Sequence, residues 1–355
     1  MINLASDNVV GASRVVLEAI LAANAAPEAS YGSDRFSREA ESRLKAIFEH
    51  DLKAYFVTTG TAANALALAA LCPPWGAVFC HEESHVADDE CGAPEMFTAG
   101  AKLVGVPGVA GKITSGALEH VIKRYPRGAI KAVQPSAVSL SQVTECGTIY
   151  TLDEIKALSA VAHAHSIPVH MDGARFANAL LSLGCSPAAM TWKAGVDVLS
   201  FGATKNGCLA CEAVIFFDPA KAADFEFRRK RSGHTVSKGR LLGAQMLAYL
   251  QDDHWLNNAK HANAMAAELN TGFKSIAGVR LPWATEANEV FAIVPRRMAD
   301  AFTKADIAAA SWYTESVSLP RDEYVKADEV FLRFVTSFQT KPEEIARVLD
   351  VARTA

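Results

Sequence analysis

From about residue 37 to residue 217, stretches of helical periodicity alternate with short β-branched or aromatic runs. A largely parallel, helix-covered sheet is the architecture that accommodates such alternation, because each crossover helix returns the chain to begin another strand in the same direction. Residues 37–49 read as an amphipathic helix, with Ser37 as its N-cap. AYFVTTG (54–60) reads as a strand entering a turn, followed by an alanine-rich helix over 61–71 that stops before Pro73-Pro74. Further strands are expected at 76–80, 101–107 and 129–136, then a helix over 151–166 and a strand over 167–175 that empties into an acid and a glycine. VDVLSFGATK and CEAVIFF supply two more strands around Lys205. Beyond residue 235 the pattern becomes one long helix, followed by a strand (279–295), a helix (299–309), a strand (330–338) and a capping helix (341–353). The division expected is a large domain over 1–250, with an N-terminal arm, and a smaller α+β domain over 251–355.

At 355 residues the chain exceeds the size at which one core usually keeps growing, which agrees with two units. Half of it is hydrophobic and its net charge is −4, so no basic excess exists to bind nucleic acid or an anionic membrane. The local exception, Arg228 to Arg231 (RRKR), reads as a solvated or subunit-facing basic turn. MINLASDNVVGAS lacks the pattern of a secretory leader, and no run of about 18 apolar residues is free of Pro, Gly or charge, so a cytoplasmic protein is expected. Seven scattered cysteines suit reduced core thiols, and the lone Cys208-Leu-Ala-Cys211 has no second pair at zinc spacing.

Three places carry chemistry. Thr58-Thr59-Gly60-Thr61 ends a strand and opens a helix, leaving N–H groups unpaired where the helix dipole favours an anion. This is a candidate phosphate cup, although such a turn can also be merely capped. It has neither the P-loop lysine nor the glycine triplet of a dinucleotide site. Asp172, in HMDGAR, lies at the carboxyl end of a buried strand, where open α/β sheets bind ligands. A desolvated carboxylate needs a partner, so it either pairs with Arg175 or faces a cationic ring nitrogen. Lys205, in SFGATKNG, follows another strand among small neighbours. Lodged between apolar strands it would lose hydration, and its lowered pKa would make the amine nucleophilic; the alternative is a lysine snorkelling to the surface. Cup, carboxylate and amine together are the three attachments that pyridoxal phosphate requires.

The chain resembles the fold type I pyridoxal phosphate enzymes, and within them the threonine aldolase family. The resemblance runs through SDNVVGAS (6–13), YGSD (31–34), TTGTAANALAL, ESHVADDECGAPE (83–95), DGARFANAL (172–180), SFGATKNG and LRFVTSF (332–338), in that order. It implies a mostly parallel sheet covered by helices, plus a smaller C-terminal domain. It implies that Lys205 binds the cofactor aldehyde, that Asp172 pairs with the pyridine nitrogen, and that Thr59, Gly60, Thr61 and Thr204 serve the phosphate end. His85 would stack on the ring and lie near the catalytic base. Arg175, Arg333 and Ser6 would receive the substrate carboxylate, with Arg175 also bordering the cofactor. Tyr31 would reach a neighbouring subunit's site, which implies a homotetramer built of dimers. Many members carry a second active-site histidine before the crossover helix; here LSQVTECGTIYTLDE offers Gln142 or Glu145 instead. The basic RRKRSGHTVSK segment (228–238) departs from the family's glycine-rich version.

The expected activity is cleavage of L-threonine or L-allo-threonine, or another β-hydroxy-α-amino acid, to glycine and an aldehyde. Another lyase of the same cofactor, such as a phenylserine aldolase or a β-eliminating enzyme, a transaminase, or a catalytically silent scaffold would share these motifs. HEESH, His81 to His85, also matches H-E-x-x-H, which needs both imidazoles one helical turn apart to hold zinc. It follows a strand directly and has no third ligand at a familiar spacing, so no metal site is expected.

Overall fold

The computed structural model describes all residues, Met1–Ala355. Seven strands form the main sheet: β1 (Lys53–Val57), β2 (Gly76–His81), β3 (Lys102–Val106), β4 (Gln134–Ser141), β5 (Val169–Gly173), β6 (Val198–Gly202) and β7 (Glu212–Phe216). Their spatial order is β1-β7-β6-β5-β4-β2-β3. All pairings are parallel except those of β7, which runs antiparallel to both neighbours. Burial on both faces explains the near-continuous apolar runs of these strands.

The helix Gly60–Leu71 shows why its sequence is so rich in alanine. Every residue from Ala62 to Ala69 is buried, and only small side chains let a helix lie that close to the sheet and to the neighbouring helix Ala93–Phe97. On the opposite face, Phe48, Phe176, Phe201 and Trp255 pack edge to face or tilted, with centroids 5.5 to 6.1 Å apart. A second apolar cluster lies under a small antiparallel sheet of β8 (Glu289–Pro295), β9 (Ala310–Ser311) and β10 (Glu329–Val335), order β8-β10-β9. Leu4 belongs to this second cluster, and Ile2–Asn3 pair in parallel with Ile307–Ala308. No helix is long and apolar enough to cross a membrane.

Several elements depart from the sequence reading. The helix expected from Ser37 begins at Arg35, because Asp34 is the cap: its carboxylate accepts both the Ser37 N–H (2.8 Å) and the Ser37 hydroxyl (2.9 Å). The strand expected over 129–136 lies at Gln134–Ser141 instead. The Gln134 amide folds the preceding segment into a loop, accepting from Gly128 N and donating to the Ala129 and Ala132 carbonyls. The long helix after residue 235 is two helices, Arg240–Leu250 and His254–Lys274, separated by Asp252 and Asp253 at φ +49° and +55°. Aspartate is among the few non-glycine residues that adopt this left-handed conformation readily. Only the end of the stretch 279–295 is strand, Glu289–Pro295; the part before it, which contains Pro282, is a loop joined to that strand by one bridge, Arg280 to Ile293. The helix expected over 299–309 starts at Arg296, directly after Pro295, and ends at Lys304.

The helices Arg35–Phe48 and Arg240–Leu250 meet at Gly243, where a Cβ would stand 2.4 Å from Ser37 N and 2.7 Å from its Cα. Because the obstacle is backbone, Gly243→Ala should destabilise the protein by about 1–3 kcal/mol, read as a lower denaturant midpoint in chemical unfolding.

Candidate active site

The six parallel strands of the sheet end on one edge, and a cleft of about 280 Å³ lies there. Thr58 and Thr59 follow β1, His85 follows β2, Asp172 stands near the end of β5, and Thr204 and Lys205 follow β6. The antiparallel β7 starts at this edge, so its first residue, Glu212, lines the cleft as well.

Asp172 is buried and hydrogen-bonded on both oxygens, from Ala174 N (3.0 Å) and Asn64 Nδ2 (2.8 Å). The same Asn64 amide donates to Glu90 Oε1 at 2.8 Å, and that oxygen lies 2.8 Å from His85 Nδ1. A chain of side chains therefore runs from the imidazole through Glu90 and Asn64 to Asp172. Burial opposes charge on His85, but its hydrogen bond to Glu90 and the fields of Glu145 and Asp172 outweigh that and lift its pKa to about 9. One layer below, His170 is pushed the other way, down to about 4, because its burial outweighs the field of Asp172; its ring nitrogens meet the hydroxyls of Ser139 and Ser200 at 2.9 Å. It is a neutral support under the acid.

At the cup, Thr59 caps the helix by accepting from Ala62 N at 3.1 Å. The Gly60 and Thr61 N–H groups in the first turn have no intrahelical acceptor. A Cβ on Gly60 would meet nothing within 4 Å, so the approach to these donors is open. Lys205 sits on a short 3-10 turn, half-buried, with neither ion pair nor hydrogen bond. Its neighbours correct the picture of an amine among apolar strands: Thr58, Thr61, Asp172, Ser200 and Glu212 make the cleft polar. Glu212 is held by the Ala203 N–H (2.6 Å) that opens the lysine turn.

Thr59, Gly60, Thr61, His85, Asp172, Thr204 and Lys205 thus converge on one cleft. Ser6, Tyr31, Arg175 and Arg333 stand outside its lining. Arg175 does not pair with Asp172, because the turn after β5 spends that carboxylate on Ala174 N and directs the arginine to Asp7 and Glu289. Ser6 caps the short turn carrying Asp7, accepting from Asn8 N. Arg333 lies with its guanidinium 4.9 Å from the centre of the Trp312 ring. Tyr31 is 51% exposed, with Lys230 over its ring. Gln142 is spent on the backbone of Tyr150, donating to its carbonyl and accepting from its N–H, both at 2.9 Å, so of the two residues considered there only Glu145 keeps a free side chain. HEESH does not lie on one helix: His81 ends β2 and His85 starts the next helix. Cys208 and Cys211 are buried and free, and burial raises both thiols.

Sequence reading passed over Asn64, Glu90 and Glu212. Asn64 had a signal, being the lone polar residue within AANALALAAL (62–71). Glu90 lies in a row of acids (ADDE) that gives no reason to choose it, and Glu212 opens a strand read only for its apolar run.

A phosphate end at the open helix start, a ring nitrogen at the fixed carboxylate and an aldehyde at the unpaired amine fit these groups together, which describes pyridoxal phosphate; the sheet carrying them is that of the fold type I enzymes that use it. The model of the beta-eliminating lyase family matches residues 3–296, and the chain belongs to that family. It is 41% identical to a low specificity L-threonine aldolase of Pseudomonas aeruginosa over 98% of this chain and 95% of the relative. A low specificity L-threonine aldolase from a Pseudomonas species is 43% identical over 81% of this chain and 82% of its own. Among solved structures, a threonine aldolase of Leishmania major superposes with a TM-score of 0.91 at 28% identity, covering 100% of this chain and 99% of that one.

Glu90 holds up the basicity of His85, so Glu90→Gln should lower the imidazole pKa from about 9 toward the ordinary value, with burial then opposed only by the fields of Glu145 and Asp172. Histidine ring NMR of the apoprotein checks this. The raised pKa also means that charged His85 stabilises the fold below its unfolded value, about 6.5, and that this contribution disappears as pH rises through about 9.

Proposed function

We propose that this protein is a pyridoxal-phosphate-dependent aldolase that cleaves L-threonine and L-allo-threonine to glycine and acetaldehyde and accepts other β-hydroxy-α-amino acids. One observation carries the reading: the helix start at Thr59–Thr61, Asp172, His85 and Lys205 share a single cleft, on a chain 41% identical along nearly its whole length to a threonine aldolase. The cofactor, when bound, supplies an aldehyde for the amino acid's nitrogen and a cationic ring that accepts the electrons released at Cα.

The protein's residues do the rest. Thr59, Gly60 and Thr61, with Thr204 beside the lysine, hold the phosphate, and Asp172, fixed by Asn64 and Ala174, keeps a proton on the ring nitrogen. Lys205 would hold the aldehyde, and its amine, when not bonded to it, would be the group to return a proton to Cα. Arg175, Arg333 and Ser6 orient the substrate carboxylate so that the Cα–Cβ bond is the one that breaks. His85 stacks on the ring and receives the β-hydroxyl proton, directly or through water. It must be neutral to do so.

The division at residues 250 and 251 belongs to the same reading, supported by the two apolar clusters, of which the first also takes in Trp255, Ala259 and Ala287 and the second Leu4. A cytoplasmic homotetramer is proposed as well, with the exposed Tyr31 ring reaching a neighbouring copy's cleft.

The test is a visible absorption band removed by borohydride, together with acetaldehyde release from threonine and allo-threonine. Lys205→Ala should lose both, while Asp172→Asn should lower kcat on the order of 10²-fold or more. Because His85 is a base only without its proton, kcat/KM should climb with pH toward about 9, and Glu90→Gln should move that rise to lower pH. A profile that ignores Glu90 would remove His85 from the base's role.

A further inference from the structure

Two arginines and two carboxylates meet beside the cleft: Arg175, Asp7 and Glu289 are buried, and Arg333 closes the group with its side chain partly exposed. Their bonding is unequal. Asp7 clamps Arg175 through both Nε (2.8 Å) and Nη2 (3.0 Å) and also accepts from Asn288 Nδ2 at 3.1 Å. Glu289 lies between the two guanidinium groups, with Oε2 3.3 Å from Arg175 Nη1 and Oε1 3.7 Å from Arg333 Nη1. Neither of its oxygens accepts a hydrogen bond, although its side chain has no exposed surface, and Arg333 Nε is also without a partner. Asp7 is therefore a fixed clamp and Glu289 a loose counter-ion. The group borders the cleft: Asn8 and Ala174, the chain neighbours of Asp7 and Arg175, line it, and Asp7 feels the charge of Lys205.

Charge counting gives the consequence. Two guanidinium groups balance Asp7 and Glu289, so a substrate carboxylate delivered to these arginines brings one negative charge too many into a buried place. Asp7 cannot yield without releasing Arg175. Resting on the aldolase reading, we propose that Glu289 occupies the seat of the substrate carboxylate between Arg175 and Arg333 and surrenders it by taking one proton from solvent when the amino acid binds. The carboxylate becomes a neutral carboxylic acid, no other bond changes, and the two arginines turn to the substrate. The groups that face Glu289 act in both directions: Arg175 and Arg333 favour its ionised form, whereas burial, Asp7 and Glu145 favour the protonated one, and burial is the strongest, so its pKa already stands above the usual carboxylate range. Binding raises it further, so affinity falls as pH rises above the free enzyme's Glu289 pKa.

The test uses the holoenzyme with glycine as the probe. Calorimetric titration in two buffers of different ionisation enthalpy counts protons taken up on binding. Wild type should take up about one more proton than Glu289→Gln, whose KM for allo-threonine should be about tenfold lower, near 1.4 kcal/mol, and less dependent on pH. An infrared difference spectrum of wild type on adding glycine, which needs no variant, should show a new protonated carboxyl band. Equal proton counts and equal pH slopes of KM overturn the proposal, as does absence of the infrared band. If wild type cleaves threonine while these signals fail, Glu289 is only a structural counter-ion and the aldolase reading stands; if wild type neither binds glycine nor cleaves threonine, both fall.

Discussion

The structure depends on one constraint: a parallel sheet brings the carboxyl ends of its strands to a single edge, where the chain turns and its polar groups have no ladder to join. Each turn on this edge meets the need differently. After β1 the backbone bends into a helix whose first N–H groups point outward. After β5 a carboxylate folds back on its own turn to take Ala174 N–H, and after β6 the turn is held by Glu212, which arrives from the only strand running the other way. Groups that satisfy the turns and groups that grip a ligand are thus the same groups or their immediate neighbours. This is how a cleft with charged walls forms on a sheet that is otherwise mostly apolar.

Charge in this cleft is ordered by burial and by neighbours rather than by residue type. Two histidines, one on β5 and one after β2, sit at opposite extremes. His170, enclosed by hydroxyls, stays neutral, while His85, joined to Glu90, is lifted to about 9. The Asn64 amide lets Glu90 and Asp172 share the interior by giving one N–H to each carboxylate, while burial and the nearby Asp172 charge still push the Glu90 carboxyl above its ordinary range. An alanine at that position would keep the helix and lose the arrangement.

What the sequence made legible follows the same physics. The alternation of strand and helix gave the main sheet, since apolar runs bounded by turns are a local signal, and the three groups proposed to hold the cofactor lie at strand ends that such a reading locates. The strand after residue 129 was misplaced because Gln134 organises its own upstream loop through side-chain bonds that leave no periodic trace. The break at Asp252 and Asp253 was hidden by a helical pattern on both sides. A pair between Asp172 and its near neighbour Arg175, one of the two readings the sequence left open for the acid, does not form, because the arginine's partners come from opposite ends of the chain, Asp7 and Glu289. Partners distant in sequence are set by tertiary packing, and a single chain read in order carries no record of them.

The absent second histidine narrows the question of the base. Gln142 cannot titrate and is committed to the Tyr150 backbone, where it fixes the turn that leads to the crossover helix. The titratable side chains lining the cleft are then His85, Asp172, Lys205 and Glu212. Asp172 is engaged on both oxygens by donors, and Glu212 is wholly buried behind the lysine turn with backbone N–H groups on it. Lys205 carries the cofactor attachment in the proposed reaction. That leaves His85 as the group placed to take a proton from a β-hydroxyl. Its raised pKa then acts against it near neutrality and in its favour in mildly alkaline solution, where an amino acid substrate is also closer to offering a free amine.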